Sequence, residues 1–255
     1  MQLFLKDGRY IILNEGIDCS IPLSASEQNP RAWYVDQPVI EPVRGNGWVG
    51  AVAEGGSVNF RNVFFNPHGH GTHTECLGHI TNTVHSVNSI QFLPFYFSEI
   101  VSITPLEVEN EDGEMDQVIT RELLEKAVQS EKLEALLIRT LPNNEAKKSF
   151  NYSDKNPAYF TKDCVDFLDQ LGVLHFLVDT PSVDREKDDG VLAFHHAFWG
   201  VPNNERFDRT ITEMIFVPEK ATDGIYFLNL QTAPFENDAT PSRPVVFPIH
   251  FNTED

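Results

Sequence analysis

Along the first third of the chain, apolar residues come in short runs or in alternation, not at helical spacing. "RYIILNEG" (9–16) and "WVGAVAEGG" (48–56) are brief apolar stretches closed by glycine, and "SVNFRNVFF" (57–65) alternates polar with apolar. All three predict strands. The period then changes. "ITRELLEKAVQ" sets Thr120 as an N-cap ahead of Leu123, Leu124, Ala127 and Val128 at helical spacing, and "LEALLIRT" follows as a continuous apolar strand. The pair recurs: "FTKDCVDFLDQLG" predicts a helix with Thr161 as a possible cap and Gly172 as its stop, and "VLHFLVDT" a buried strand. The tail returns to strands in "TEMIFVP", "GIYFLNLQTAPF" and "PVVFPIHF". Strand–helix alternation in the middle predicts a sheet with parallel members and helices packed on it, within a mixed α/β architecture that is strand-rich at both ends. "NEAKKSFNYSDKNP" and "PSVDREKDDG" read as polar loops whose charges are solvated.

Composition narrows the function classes. The chain has 255 residues, 41% of them hydrophobic, enough for a large core, and no break in composition marks a linker. A single domain over 1–255 is expected. A net charge of −19 repels phosphate backbones and anionic lipid, so nucleic-acid and membrane-surface partners are not expected. Cys19, Cys76 and Cys164 form no spaced framework, which fits a reduced, intracellular protein. The N-terminal "MQLFLKDGRY" carries no secretory pattern, and no apolar run approaches the roughly 20 residues of a membrane helix. A soluble cytoplasmic protein is the expectation.

Candidate chemistry concentrates in "FFNPHGHGTHTECLGHI" (64–80), where His68, His70, His73 and His79, four of the nine histidines, surround Glu75. Neutral imidazole and carboxylate suit a first-row divalent metal, and three protein ligands with an open position make a catalytic zinc site. His73 and Glu75 lie two apart, so an extended segment puts both on one face. The glycines let the chain turn further ligands back onto the same ion. Ordinary packing remains the reading for His85, His175 and His250. A second cluster, "VLAFHHAFWG" with His195 and His196, precedes Glu213 in "TEMIF". Adjacent histidines on a helix point about 100° apart, so one of the two faces the loop. Asp179 and Ser182 in "VDTPSVD" stand where a buried strand ends, placed either to line a crevice or to cap the turn. Phe65 and Trp199, with Phe64 and Phe198, offer walls for an aryl substrate, core packing being the alternative for each.

These motifs resemble the cyclase family of metal-dependent hydrolases, the group of bacterial kynurenine formamidase and isatin hydrolase. The family's H-x-G-T-H-x-D-x-P-x-H meets "GHGTHTECLGH" here, with Gly71, Thr72, His73 and His79 matching and Glu75 in place of Asp. "GIDCSIPL", "ALLIRT", "VDTPSVD", "LAFHHAFWG" and "ITEMI" resemble further family segments in order. The resemblance implies a β/β/α fold with a mixed sheet or barrel-like core and packed helices, and a homodimer or higher homo-oligomer. It implies His73, Glu75, His195 and Glu213 as metal ligands and His79 as general acid/base. The family's first histidine falls on Gly69, which has no ligand atom. Of the neighbours His68 and His70, His68 is the expected replacement, because Pro67 stiffens its approach and Gly69 permits the turn. The implied cofactor is a divalent metal, zinc on ligand type, with manganese fitting the carboxylate content. The implied activity is hydrolysis of a small amide or cyclic amide, N-formylkynurenine being the first such substrate. The rival reading is a metal-binding or small-molecule-binding protein that does no catalysis on the same scaffold.

Overall fold

The structure, a computed structural model, describes residues 1–5, 7–111 and 113–251. Eight strands build its centre: β1 (Ile17–Asp18), β2 (His73–Glu75), β3 (Tyr96–Ile103), β4 (Ala135–Thr140), β5 (His175–Val178), β6 (Thr210–Glu213), β7 (Gly224–Thr232) and β8 (Ala239–Pro248). Strands β3, β4, β5 and β6 run parallel side by side. Antiparallel pairings then link β6 to β2, β2 to β8, β8 to β7 and β7 back to β3, closing a barrel of seven strands with β1 laid on β8. Three short helices return the chain between parallel strands: α1 (Arg121–Ala127), α2 (Cys164–Leu171) and α3 (Ala193–Trp199). The α/β class is what the residue spacing predicts, and the barrel, of the mixed sheet or barrel-like core that the family resemblance implies, is the form observed.

The predicted signals act as expected at Thr120 and Gly172 but not at Thr161, which lies two residues before the N-cap Asp163 and turns its hydroxyl to the Asp163 carboxylate. The Thr120 hydroxyl accepts from the Leu123 N–H at the start of α1. Gly172 takes φ +84° at the end of α2, where its N–H reaches the Leu168 and Asp169 carbonyls. In β4 all six residues are buried, as a parallel strand covered on both faces requires. Its alternate residues separate two cores. Leu136 and Ile138 join Phe176 and Val178 of β5 against α1, α2 and α3. Ala135 and Leu137 join Ile100, Leu177, Leu228, Leu230 and Val246 from the other strands inside the barrel.

Three segments differ from the sequence reading. "WVGAVAEGG" forms only a two-residue strand, Trp48–Val49, followed by a single 3-10 turn over Val52–Glu54. "TEMIFVP" stops being a strand at Glu213, because Met214 adopts φ +54° and turns its N–H to the Thr180 carbonyl. The last long strand starts five residues before "PVVFPIHF", at Ala239; Pro241 and Pro244 mask it as a strand. Among the described residues no helix is long and apolar enough to cross a membrane.

Candidate metal centre

The centre begins with a register. Antiparallel pairing sets His73 opposite Glu213 and Glu75 opposite Ile211 across β2 and β6. Ile211 belongs to the core layer under the helices, so the residues two apart from it and across from it, Glu213, His73 and Glu75, look the same way, toward α3. Thr74 and Thr212 point to the opposite face, where their hydroxyls meet at 2.8 Å. His73 Nδ1 donates to the Gly71 carbonyl at 2.9 Å, which leaves Nε2 as the free nitrogen, 3.4 Å from Glu213 Oε2.

Helix α3 brings the next imidazole to the cluster. His195 Nδ1 donates to Asp184 Oδ2 at 2.6 Å, and its Nε2 lies 3.1 Å from Glu75 Oε1 and 3.8 Å from Glu213 Oε1. Asp184 also accepts from the backbone N–H groups of Phe194 and His195, so one carboxylate caps the helix and orients the ring that the helix carries. Its neighbour His196 turns away, with Nδ1 3.4 Å from the Val201 carbonyl. Glu213 Oε1 accepts from the Val183 N–H at 3.0 Å, which fixes its other oxygen toward His73.

A third group closes the open side. His68 Nδ1 lies 3.0 Å from Glu75 Oε2, and His68 Nε2 donates to Asp238 Oδ2 at 2.9 Å. His79, set by a 3-10 turn directly after β2, places Nε2 3.8 Å from Glu75 Oε2 and Nδ1 3.4 Å from the same Asp238 oxygen. The two rings stack with centroids 4.3 Å apart. Of the two candidates for the missing histidine, His68 is therefore at the cluster and His70 is not. His70 is spent on the backbone, its Nδ1 accepting from the Asn66 N–H and its Nε2 donating to the Asp36 carbonyl. A side chain at position 69 has no room, since a Cβ there would stand 2.7 Å from Val35 Cγ2 and 3.1 Å from the Ala32 carbonyl oxygen.

The electrostatics of this cluster ask for a cation. Burial works against charge on His68, yet hydrogen bonds to Asp238 and Glu75 outweigh it and push the ring up to about 10. His195, opposed by burial in the same way, is pushed up to about 10 by Asp184 and Glu75. Glu75 itself, despite complete burial, is held well below the usual carboxylate range by His79, His195 and His68. His73 Nε2 is buried without a hydrogen-bond partner among the described residues, and Glu75 Oε2, although 3.0 Å from His68 Nδ1, has no well-aligned donor among them. Each orphaned polar atom costs about 1–3 kcal/mol unless something binds it. Donor atoms of His73, Glu75 and Glu213 lie within 4.8 Å of one another, as do those of His68, Glu75 and His79. Nitrogen and carboxylate oxygen at that spacing fit a divalent zinc or manganese ion. Cys76 is adjacent in sequence but takes no part: its thiol donates to the His85 carbonyl, and burial pushes it up to about 11.

Of the four residues expected to contact substrate, Phe65 and Asp179 line other cavities, and Ser182 and Trp199 stand behind His195. Phe65 lines a cavity of about 460 Å³ with Ile21, Pro67 and Thr72, and none of the six cluster residues lines it. Asp179, raised by burial although Lys147 and Thr140 offset it, bonds Lys147 Nζ at 2.8 Å beside a separate cavity of about 410 Å³. Ser182 accepts from the Asp184 N–H, so it supports the residue that holds His195. Trp199 is fully buried, its indole N–H donating to the Arg209 carbonyl, and its ring sits 5.3 Å from that of His195. It braces the His195 ring and has no exposed face. The charged loop "PSVDREKDDG" is not all solvated either, since Ser182, Val183 and Asp184 are buried. Asp184 and Asp238 are the carboxylates in contact with the cluster's histidines that the sequence did not single out. Asp184 had one signal, its place in the same D-x-x-S-like segment as Asp179; Asp238 had none.

Comparison with known proteins places the chain's fold and family. The family profile "Putative cyclase" matches residues 17–185. The kynurenine formamidase of Bacillus thuringiensis subsp. konkukian (strain 97-27) is 28% identical over 237 residues, covering 92% of this chain and 99% of that one. A solved potential metal-dependent hydrolase with cyclase activity superposes with a TM-score of 0.64 at 14% identity, covering 91% of this chain and 96% of its own. An isatin hydrolase bound to the product analogue thioisatinate gives 0.62 at 13% identity, covering 92% of each chain.

Proposed function

The chain belongs to the cyclase family, and from that premise we propose that it is a metal-dependent hydrolase of a small amide or cyclic amide. The observation that carries the reading is the way His73 and His195 are held. Each ring gives one N–H to a fixed oxygen, of Gly71 or of Asp184, and turns its other nitrogen toward Glu75 and Glu213. Outward hydrogen bonds of this kind orient histidine ligands and fix their tautomers in metal sites. His73, Glu75, His195 and Glu213 would hold the ion, with His68 reaching it from the open side. When bound, such an ion makes water nucleophilic near neutral pH and polarises a carbonyl.

The residues of the chain do the rest. Side chains of His73, Glu75, His195 and Glu213 are nearly inaccessible, whereas His68, His79 and Asp238 keep 19%, 30% and 18% of their surface. The substrate carbonyl therefore approaches past His68 and His79. At this mouth His79 can hold a proton and pass it to the nitrogen that leaves. The kinship with kynurenine formamidase makes an aryl formamide such as N-formylkynurenine the first substrate to assay, and the likeness to isatin hydrolase makes a cyclic amide the second. Zinc is the expected ion, with manganese next.

Two measurements test the reading together: metal content per chain of wild type and His68→Ala, and turnover of an aryl formamide, a cyclic amide and a lactone before and after chelation. Tightly held metal, reduced in the variant, with turnover lost on chelation and restored by metal, is the expected result. Metal without turnover of any of the three would make the chain a metal-binding protein. No metal after incubation with zinc and manganese would remove the mechanism altogether.

A further inference from the structure

The carboxylate of Asp238 is reached by two histidines at once. Register explains why it is there. Ala239 pairs with Glu75 across β8 and β2, and the next residue back, Asp238, receives the Cys76 N–H on its carbonyl at 3.1 Å. The residue before β8 is thus held beside the end of β2, where His79 follows after one 3-10 turn and His68 arrives from the glycine loop. A single oxygen, Oδ2, takes both contacts, 2.9 Å from His68 Nε2 and 3.4 Å from His79 Nδ1. On the far side of the stacked rings a single oxygen again faces both, Glu75 Oε2, 3.0 Å from His68 Nδ1 and 3.8 Å from His79 Nε2.

An ionised carboxylate only accepts hydrogen bonds, so both rings must donate to Asp238. With a cation in the centre in place of the protons that would otherwise face Glu75, the remaining proton of His68 sits on Nε2 and that of His79 on Nδ1. We propose that Asp238 is a positioning residue that fixes these two opposite tautomers, turning His68 Nδ1 and His79 Nε2 toward the metal centre as lone pairs. This rests on the metal-site reading above and extends it to a residue outside the family motif. It also says how His68 substitutes for a ligand at position 69. The chain approaches from one residue earlier, so the ring must offer Nδ1, and a carboxylate behind Nε2 is what holds it that way round. His79 gains the same orientation: its Nε2 is the nitrogen on the metal side, where it can accept a proton and release it to a leaving group.

The experiment compares wild type, Asp238→Ala and Asp238→Asn. Zinc affinity is measured by competition with a chromophoric chelator. Histidine tautomers are read from long-range ¹H–¹⁵N correlation spectra of the zinc-loaded proteins. The expected result is an Nε2–H form for His68 and an Nδ1–H form for His79 in wild type, with zinc affinity lowered about 10–100-fold in both variants. Asn keeps the shape and one acceptor oxygen without the charge, so it reports on the carboxylate even where Ala perturbs folding. Wild type that binds zinc with the tautomers reversed, or Asp238→Asn with unchanged affinity and tautomers, would overturn the role of Asp238 while leaving the metal site standing. Wild type that binds no zinc would overturn the metal-site reading itself, and this role with it.

Discussion

At the scale of single residues, Gly69 is the most informative departure from the family motif. A ligand histidine belongs at that place in the pattern, and restoring it by Gly69→His looks like a repair. The packing says otherwise. The new Cβ would stand 2.7 Å from Val35 Cγ2 and 3.1 Å from the Ala32 carbonyl oxygen, in a segment pinned by the Ala32 N–H bonding the Gly69 carbonyl. Val35 is a short branched side chain and the carbonyl is backbone, so neither yields cheaply. Gly69→His should lower stability by about 1–3 kcal/mol, as overpacked sites do, and leave the metal content per chain no higher than in wild type. Chemical denaturation and metal analysis of the purified variant check both halves. A stable variant with one more ion per chain would show that the loop can rearrange. The residues of the cluster could be picked out from the sequence because imidazole and carboxylate within a few residues of each other have few other uses. Asp238 was not, because nothing in "FENDAT" distinguishes a carboxylate that faces two histidines from one that faces water.

At the scale of elements, periodicity revealed the two strand–helix pairs, since α1, β4, α2 and β5 bury contiguous apolar faces that the spacing of Leu124, Leu168 and Leu171 already announces. It could not reveal that the loop before α3 folds inward. "PSVDREKDDG" looks solvated by composition, and its second half is, but Asp184 is drawn in by three donors it alone satisfies: the N–H groups of Phe194 and His195 and the Nδ1–H of His195. The helix start and the ring of His195 therefore depend on one carboxylate. Asp184→Ala should cost about 2–3 kcal/mol in urea unfolding of the metal-free protein, because buried donors lose a charged acceptor. The same change should weaken zinc binding about 10–100-fold by freeing the ring of His195. Ser182→Ala, which removes only the hydroxyl that accepts the Asp184 N–H at 3.0 Å, should show a smaller version of both effects. A fall in stability with zinc affinity intact would mean that α3 holds His195 in place without Asp184.

At the scale of the whole molecule, barrel closure was the least legible feature, because it needs β7 and β8 to reach back to β3 and β2 across most of the chain. Closure separates two ends with opposite electrostatic character. Glu213 and the cluster of imidazoles lie at the carboxyl ends of the parallel strands. At the amino ends, His175 of β5 pairs with Thr210 of β6 in register and is buried, its Nδ1 2.8 Å from the Thr210 hydroxyl and its ring between Phe92 and Tyr96. No carboxylate compensates it, and burial alone pushes it down from 6.5 to about 4. The sign follows directly. Between those values the unfolded chain takes up a proton that the folded chain refuses, so stability is complete above about pH 6.5 and is lost as the pH falls toward 4. The full loss is about 3 kcal/mol, because each tenfold fall in proton affinity corresponds to about 1.4 kcal/mol. His175→Gln removes the titration, and because the metal cluster lies at the other end of the barrel its own acid response should be common to both proteins. The zinc-free variant should therefore lose stability less steeply than zinc-free wild type between pH 6.5 and 4. Parallel curves over that range would mean that His175 is protonated in the fold, and that the amino end of the barrel admits water to it.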